Sequence, residues 1–198
     1  MKKKLKNYKS AALITGAAGF LGIQHAFALS EIVNTLVLID VNFKNLKKVK
    51  EKILSKLPYS NILVYRGDIS NEKSLIKIQK DLKKKSIFIK VLINNAAIDP
   101  KMNFISKGKS GLVENYNIQN FRKEIDINLT GSFICTKIFG SEMAKKGEGS
   151  IINIASDAGI IAPDHSVYHP KENIKKLKHF KPASYSISKH ALIGMTKY

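Results

Sequence analysis

Tyr185 and Lys189 stand four residues apart near the end of a 198-residue chain, and on a helix that spacing puts both side chains on one face. A free phenol loses its proton only at about pH 10. An ammonium group a few ångströms away favours the phenolate, which suits proton exchange with an alcohol or carbonyl oxygen. Glycines at 16, 19 and 22 follow an apolar run and Thr15, a G-x-x-G-x-x-G pattern at a strand-to-helix turn that points to a dinucleotide. Gly16 would allow the tight turn, Gly19 the approach of a pyrophosphate, and Gly22 a close seat for the helix on the sheet. The helix's free N–H groups and dipole would then face the phosphates. Such turns also occur without a ligand. Asp40, closing the second apolar run, could accept from both ribose hydroxyls of NAD and would repel the 2′-phosphate of NADP; its other reading is a cap or turn residue. His165, His169 and His179 lack the cysteine or carboxylate partners of a recognisable zinc set, so no metal is expected.

Strand and helix alternate in the elements that must position these groups. A first strand over Ala11 to Ile14 leads into a helix from Leu21 to Glu31 and a strand, Leu36 to Ile39, closed by Asp40. A lysine-rich helix over 44–56 stops before Pro58, and Ile62 to Tyr65 is the third strand. Beyond Asp68, Ser70 is the expected cap of a helix running to Lys84. The fourth strand, Ile89 to Ile93, delivers Asn94-Asn-Ala-Ala97, and a polar loop over 99–116 follows. A long helix from Ile118 to Ala144 carries apolar Phe121, Ile125, Leu129, Phe133 and Ile134, with Cys135 and Met143 as packing residues. Gly147 and Gly149 end it, Ser150 to Ile154 is the fifth strand, and Ser156 comes next. A basic insert over 160–182 precedes a last helix, for which Ser184 is the expected cap. Apolar strands alternating with helices predict a parallel sheet covered on both faces. Its ligand edge is the carboxyl end of the strands, where Asp40, Asp68, Asn94, Asn95 and Ser156 arrive.

The chain's length and 44% hydrophobic content suit one substantial domain. Lys or Asp interrupts each apolar run before the roughly 18 residues of a membrane span. The start Met1-Lys-Lys-Lys-Leu-Lys6 is followed by polar residues instead of the apolar core of a signal peptide. One cysteine excludes an internal disulfide and agrees with a cytoplasmic setting. A net charge of +19 could attract nucleic acid or anionic metabolites. The charge comes almost wholly from lysines on outer helix faces, with no arginine stripe or interleaved aromatics, which argues against nucleic acid.

Taken together, Tyr185-Ser-Ile-Ser-Lys189, Ser156 in Ile152-Asn-Ile-Ala-Ser156, Asn128 in Asn128-Leu-Thr-Gly131, Asn94-Asn-Ala-Ala97 and the Thr15-Gly16 turn resemble the short-chain dehydrogenase/reductase family, in order and over nearly the whole chain. The resemblance implies a Rossmann-like, doubly wound α/β/α domain that binds NAD(P). In it Tyr185 is the acid/base, Lys189 eases its ionisation and holds the nicotinamide ribose, Ser156 positions the reacting oxygen, and Asn128 helps hold a water linked to the lysine. Thr15, Gly16, Gly19, Phe20, Leu21 and Gly22 would line the cofactor at the first turn. Asp40, Asp68 and Ile69 would line it after the next two strands, and Asn95, Ala96 and Ala97 after the fourth, with Asn94 bracing the sheet. The implied reaction is hydride transfer between nicotinamide and the hydroxyl or carbonyl carbon of a small molecule, by a homo-oligomer.

Three departures from the family's common pattern shape the expectation. The glycine spacing T-G-x-x-G-x-x-G is that of extended members acting on nucleotide sugars, whereas the asparagine motifs are those of classical members. Ser156 and Tyr185 are 29 apart, farther than usual, so the extra segment would form a lid, as in oxidoreductases of bacterial surface-sugar and flagellin modification. A sugar or nucleotide sugar is the substrate this implies. Finally, classical relatives continue with two more strands where this chain stops at Tyr198. The expectation is a truncated member lacking those strands, with a catalytically impaired dinucleotide-binding fragment as its alternative function.

Overall fold

The computed structural model describes residues 9–100, 111–161, 163–165 and 180–198. The basic arm before Lys9, His169, His179 and most of the predicted insert lie outside them. The chain divides into two compact units, Met1–Ala96 with Gly131–Asn153, and Ala97–Thr130 with Ile154–Tyr198.

The first unit holds a five-stranded parallel sheet. Strands β1 (Lys9–Thr15), β2 (Thr35–Asp40), β3 (Asn61–Arg66), β4 (Ile87–Asn94) and β5 (Ser150–Asn153) lie in the order β3-β2-β1-β4-β5. Strand order reverses between β1 and β4, the switch point of a doubly wound fold. Thr15 pairs with Ile39, and Ile14 with both Leu38 and Ile93, so the strand ends are level and carry Thr15, Asp40 and Asn94 to one edge. Ala12, Leu13, Ile14, Val37, Leu38 and Ile39 are fully buried, which is why the central strands read as unbroken apolar runs and not as alternating ones. Helices α1 (Phe20–Ser30) and α2 (Phe43–Lys56) cross on one face, and α3 (Glu72–Lys84) crosses back on the other, as right-handed connections require. Both α2 and α3 are amphipathic: Leu46, Val49 and Ile53 on the first, and Leu75, Ile78 and Leu82 on the second, are buried while the lysines face out. Each such buried leucine or isoleucine contributes about 1.5–3 kcal/mol over exposure.

The start of α3 differs from expectation. Its cap is Asn71, whose side chain accepts from the Ser74 N–H at 3.1 Å; the Ser70 hydroxyl instead donates to Asp68 Oδ1 at 2.7 Å. Two adjacent residues could each serve as cap, and the carboxylate at 68 takes the first.

The helical stretch from Ile118 to Lys146 comprises α4 (Ile118–Ile125), a wide π-helical turn (Asp126–Gly131), α5 (Ser132–Cys135), a second wide turn (Thr136–Gly140) and α6 (Ser141–Lys146), ended by left-handed Gly147 at φ 70°. Its buried residues are Glu124, Asn128, Gly131, Ser132, Cys135, Ile138, Phe139 and Met143. The apolar set expected to mark the packed side is less covered, and Phe133 is 54% exposed. The wide turns shift the buried side along the stretch, and polar residues there are held by hydrogen bonds, a pattern that hydrophobicity alone does not reveal. Burial pushes the Cys135 thiol up to about 12. The second unit also holds a short 3₁₀ turn (Asp157–Gly159) and α7 (Ala183–Lys197). No helix among the described residues is long and apolar enough to cross a membrane.

Candidate functional site

In the first unit the glycine turn is fixed from below. The Thr15 hydroxyl accepts from the N–H groups of Asn95 and Ala96, both at 3.1 Å, and lies 3.3 Å from the Ile93 carbonyl oxygen, to which it donates. The Asn95 side-chain amide donates to the carbonyls of Thr15 at 2.9 Å and Gly16 at 3.1 Å. Gly16 has φ +62°, and a Cβ there would come within 2.7 Å of the Ala96 Cα. A Cβ on Gly22 would lie 2.2 Å from the Gly16 carbonyl oxygen, so this glycine packs the helix against the turn itself. Gly19 is different. Its backbone is ordinary, and a Cβ there would meet only the Gly16 oxygen, at 3.2 Å. Gly19 also opens α1 without a side-chain cap, so among the described residues the first amides of the helix have no side-chain acceptor, beside exposed Phe20 and Leu21. Room, free donors and the positive end of a helix coincide, which fits a diphosphate.

Asp40 joins this turn. Its Oδ2 accepts from the Ala18 N–H at 2.9 Å and its Oδ1 from the Asn42 N–H at 2.8 Å. The expected cofactor residues Thr15, Gly16, Gly19, Gly22, Asp40, Asn95 and Ala96 are thus one connected group. Asp68 stands apart, accepting from Ser70, and Ile69 is buried against Gly131, where a Cβ would come within 2.6 Å of the isoleucine side chain. Asn94 braces the sheet, donating to Asn153 Oδ1 at 2.8 Å and Thr136 Oγ1 at 3.1 Å. Replacing Thr15 with Val should strand two half-buried amides at a cost of about 1–3 kcal/mol in all, seen as a lower denaturation midpoint at unchanged slope. A midpoint equal to the parent's would show that the hydroxyl does not hold the turn.

In the second unit Tyr185 and Lys189 share the expected face of α7. The Lys189 ammonium is 5.6 Å from the centre of the Tyr185 ring and donates to the Ile154 carbonyl at 2.6 Å. The residue is only 4% exposed, and burial holds its ammonium below the usual lysine range, with Asp99 pulling the other way. Lys181, which the sequence reading passed over, lies closer to the ring, at 4.5 Å, and pairs with Asp99 at 2.9 Å. It precedes Pro182 and the start of α7, so helical spacing offered no signal for it.

Asn128 sits in the wide turn after α4. Its Oδ1 accepts from the Ile98 N–H at 2.7 Å, and its Nδ2 donates to the Ile98 carbonyl at 3.0 Å and the Ser188 hydroxyl at 3.1 Å, just beyond Ala97. The Ser156 hydroxyl donates to Asp157 Oδ1 at 2.8 Å and accepts from the Ala158 N–H at 3.2 Å; no hydrogen bond joins it to Tyr185 among the described residues. That hydroxyl and the Ala158 N–H hold the exposed Asp157 carboxyl below its ordinary range. The Ser156 loop is nonetheless fastened to α7. A Cβ on Gly159 would lie 2.7 Å from the Lys189 carbonyl carbon, and His190 Nδ1 is 2.7 Å from the Gly159 carbonyl oxygen. Ser184 is not a cap: Pro182 holds that position, and the Ser184 hydroxyl donates to Glu124 instead. Among the described residues, no group of three or more His, Cys, Asp or Glu is placed to hold a metal ion.

Known proteins resemble this chain in sequence and fold. The short chain dehydrogenase family profile matches residues 10–169. An NAD-dependent glycerol dehydrogenase of Listeria innocua is 30% identical over 186 residues, covering 94% of this chain and 61% of that protein. A 3-oxoacyl-[acyl-carrier-protein] reductase of Synechocystis is 28% identical, over 94% of this chain and 65% of that protein. The chain therefore spans about three-fifths of the length of such relatives. Among solved structures, NAD+-bound xylitol dehydrogenase superposes with TM-score 0.77 at 26% identity, over 97% of this chain and 64% of that one. Levodione reductase superposes with TM-score 0.78 at 25% identity, over 96% and 64%.

Proposed function

Because the chain belongs to the short-chain dehydrogenase family, we propose that it binds NAD and interconverts an alcohol and a carbonyl compound. The observation that carries the reading is the Tyr185 ring with the buried Lys189 ammonium 5.6 Å from its centre. NAD, when bound, supplies or accepts the hydride; the chain's own share is to bind, to orient and to move a proton. The amides at the start of α1 take the diphosphate. The Asp40 carboxylate, anchored by two N–H groups, keeps lone pairs for the adenosine ribose hydroxyls. Tyr185 exchanges its proton with the substrate oxygen, which the Ser156 hydroxyl orients. Lys189 stabilises the phenolate and holds the nicotinamide ribose, and Asn128 fixes the wide helical turn beside it.

The substrate we favour is a polyol, sugar or sugar derivative. The glycerol and xylitol dehydrogenases among the similar proteins support a hydroxyl-rich substrate and the choice of NAD, and the +19 net charge suits an anionic one. A cytoplasmic setting agrees with the single cysteine. Replacing Asp40 with Ala should weaken NAD binding by about 10- to 100-fold, the worth of a hydrogen bond to a charged group, with NADP gaining relative to NAD by calorimetric titration. Equal or tighter NADP binding by the parent chain would overturn the assignment of Asp40.

A further inference from the structure

Two polar rungs fasten α7 to the helix that carries Asn128. In the first, Glu124 accepts at Oε1 from the Tyr116 hydroxyl at 2.6 Å and at Oε2 from the Ser184 hydroxyl. In the second, four residues on along both elements, Asn128 donates to the Ser188 hydroxyl, which in turn donates to the Tyr185 carbonyl at 2.8 Å. Glu124 is 6% exposed and both serines are fully buried. Burial, more than the neighbouring carboxylate, pushes the Tyr116 phenol up to about 12, so it remains a donor at neutral pH. No cation pairs with Glu124 among the described residues.

A buried carboxylate held by two hydroxyls is a poor source of stability, because apolar groups of the same shape would pack there at no greater cost. What it supplies is direction. Ser184 and Ser188 each immediately precede a residue of the proton-transfer pair, and neighbouring residues on a helix point about 100° apart. Fixing the serines therefore fixes where the phenol and the ammonium point. Lys189 has a second anchor at the Ile154 carbonyl. Tyr185 is held at its carbonyl by the second rung, but the first turn of α7 has no side-chain cap, so the Glu124 rung is what fixes the turn on its N-terminal side.

We infer that Glu124 is a positioning residue for proton exchange at Tyr185, acting through Ser184 to set the rotation of the first turn of α7; the inference rests on the catalytic reading above. The test compares Glu124→Leu, Glu124→Gln and Tyr185→Phe in the full chain. Turnover is followed with NAD and whichever of glycerol, xylitol or 2-propanol reacts fastest with the parent. Glu124→Leu leaves the Ser184 and Tyr116 hydroxyls without their acceptor and should melt earlier than the parent, and the folded variant should lose about 10- to 100-fold in kcat, the scale of a small misplacement of a reacting group, with KM almost unmoved. Glu124→Gln, whose amide can meet both hydroxyls, should recover most of the rate. A folded Glu124→Leu variant with parental kcat would overturn the inference.

Carbon-13 NMR of labelled tyrosine supplies a readout that needs no turnover. The line missing in Tyr185→Phe marks that phenol; it should shift or split in Glu124→Leu and stay in place in Glu124→Gln. An unmoved line in folded Glu124→Leu also overturns the inference. If Glu124→Leu does not fold, Ser184→Ala removes the same rung and is judged by both readouts. If no alcohol reacts, or Tyr185→Phe keeps the parental rate, the catalytic reading fails while the tyrosine line still decides whether Glu124 orients the phenol.

Discussion

Tyr185→Phe should lose turnover by about 10²- to 10⁴-fold, the usual worth of a positioned acid or base, while NADH affinity stays within a few-fold of the parent. The substitution removes one oxygen and keeps the ring, so the packing of Lys189 and Lys181 around it, at 5.6 and 4.5 Å from its centre, is preserved. Loss of rate then reports proton exchange and not collapse of the site. NADH absorbance under saturating alcohol measures the rate, and calorimetry measures binding. Retained activity would transfer the proton to another group. A parallel loss of NADH binding would make the phenol a cofactor ligand first.

The second large effect separates the three glycines of the turn. Ala at Gly16 must adopt φ +62° with its Cβ 2.7 Å from the Ala96 Cα, and Ala at Gly22 would press to 2.2 Å from a carbonyl oxygen. Either should destabilise the fold by about 1–3 kcal/mol or more, the cost of overpacking, visible as a lower melting temperature before any ligand is added. The Cβ of a Val at Gly19 needs only a slight shift of the Gly16 oxygen, on a backbone that any residue adopts, so this variant should melt closer to the parent than either of the others. It would fill the space left for the diphosphate, so NAD affinity should fall by about 100-fold or more, a loss of roughly 2.7 kcal/mol. A Gly19→Val chain that binds NAD like the parent would show that the turn is structural and the dinucleotide, if any, sits elsewhere.

The sheet was legible because its physics is local and repetitive. Strands such as Leu36 to Ile39 are buried on both sides and so are continuous in sequence, and the Thr15-Gly16 corner needs residue types that few other corners need. The same holds for Tyr185 and Lys189, whose shared face follows from helical spacing alone. What escaped is what depends on partners far away in the chain. Ser184 has the chemistry of a cap, yet Glu124, 60 residues away, takes its hydroxyl. Lys181 reads as one more surface lysine until Asp99 draws it over the Tyr185 ring. The helical stretch after Ile118 misled for a further reason. Its wide turns at Asp126–Gly131 and Thr136–Gly140 alter the period on which a helical face is judged, and polar Glu124 and Asn128 occupy positions that hydrophobicity assigns to solvent.

Gly159 lies backbone to backbone against α7, with no space for a methyl group beside the Lys189 carbonyl carbon, while on the far side of the insert Lys181 is tied to Asp99. Both moorings are matters of register, so a codon gained between Ser156 and Gly159, or between Lys181 and Tyr185, would carry a reacting side chain away from the place where it is held.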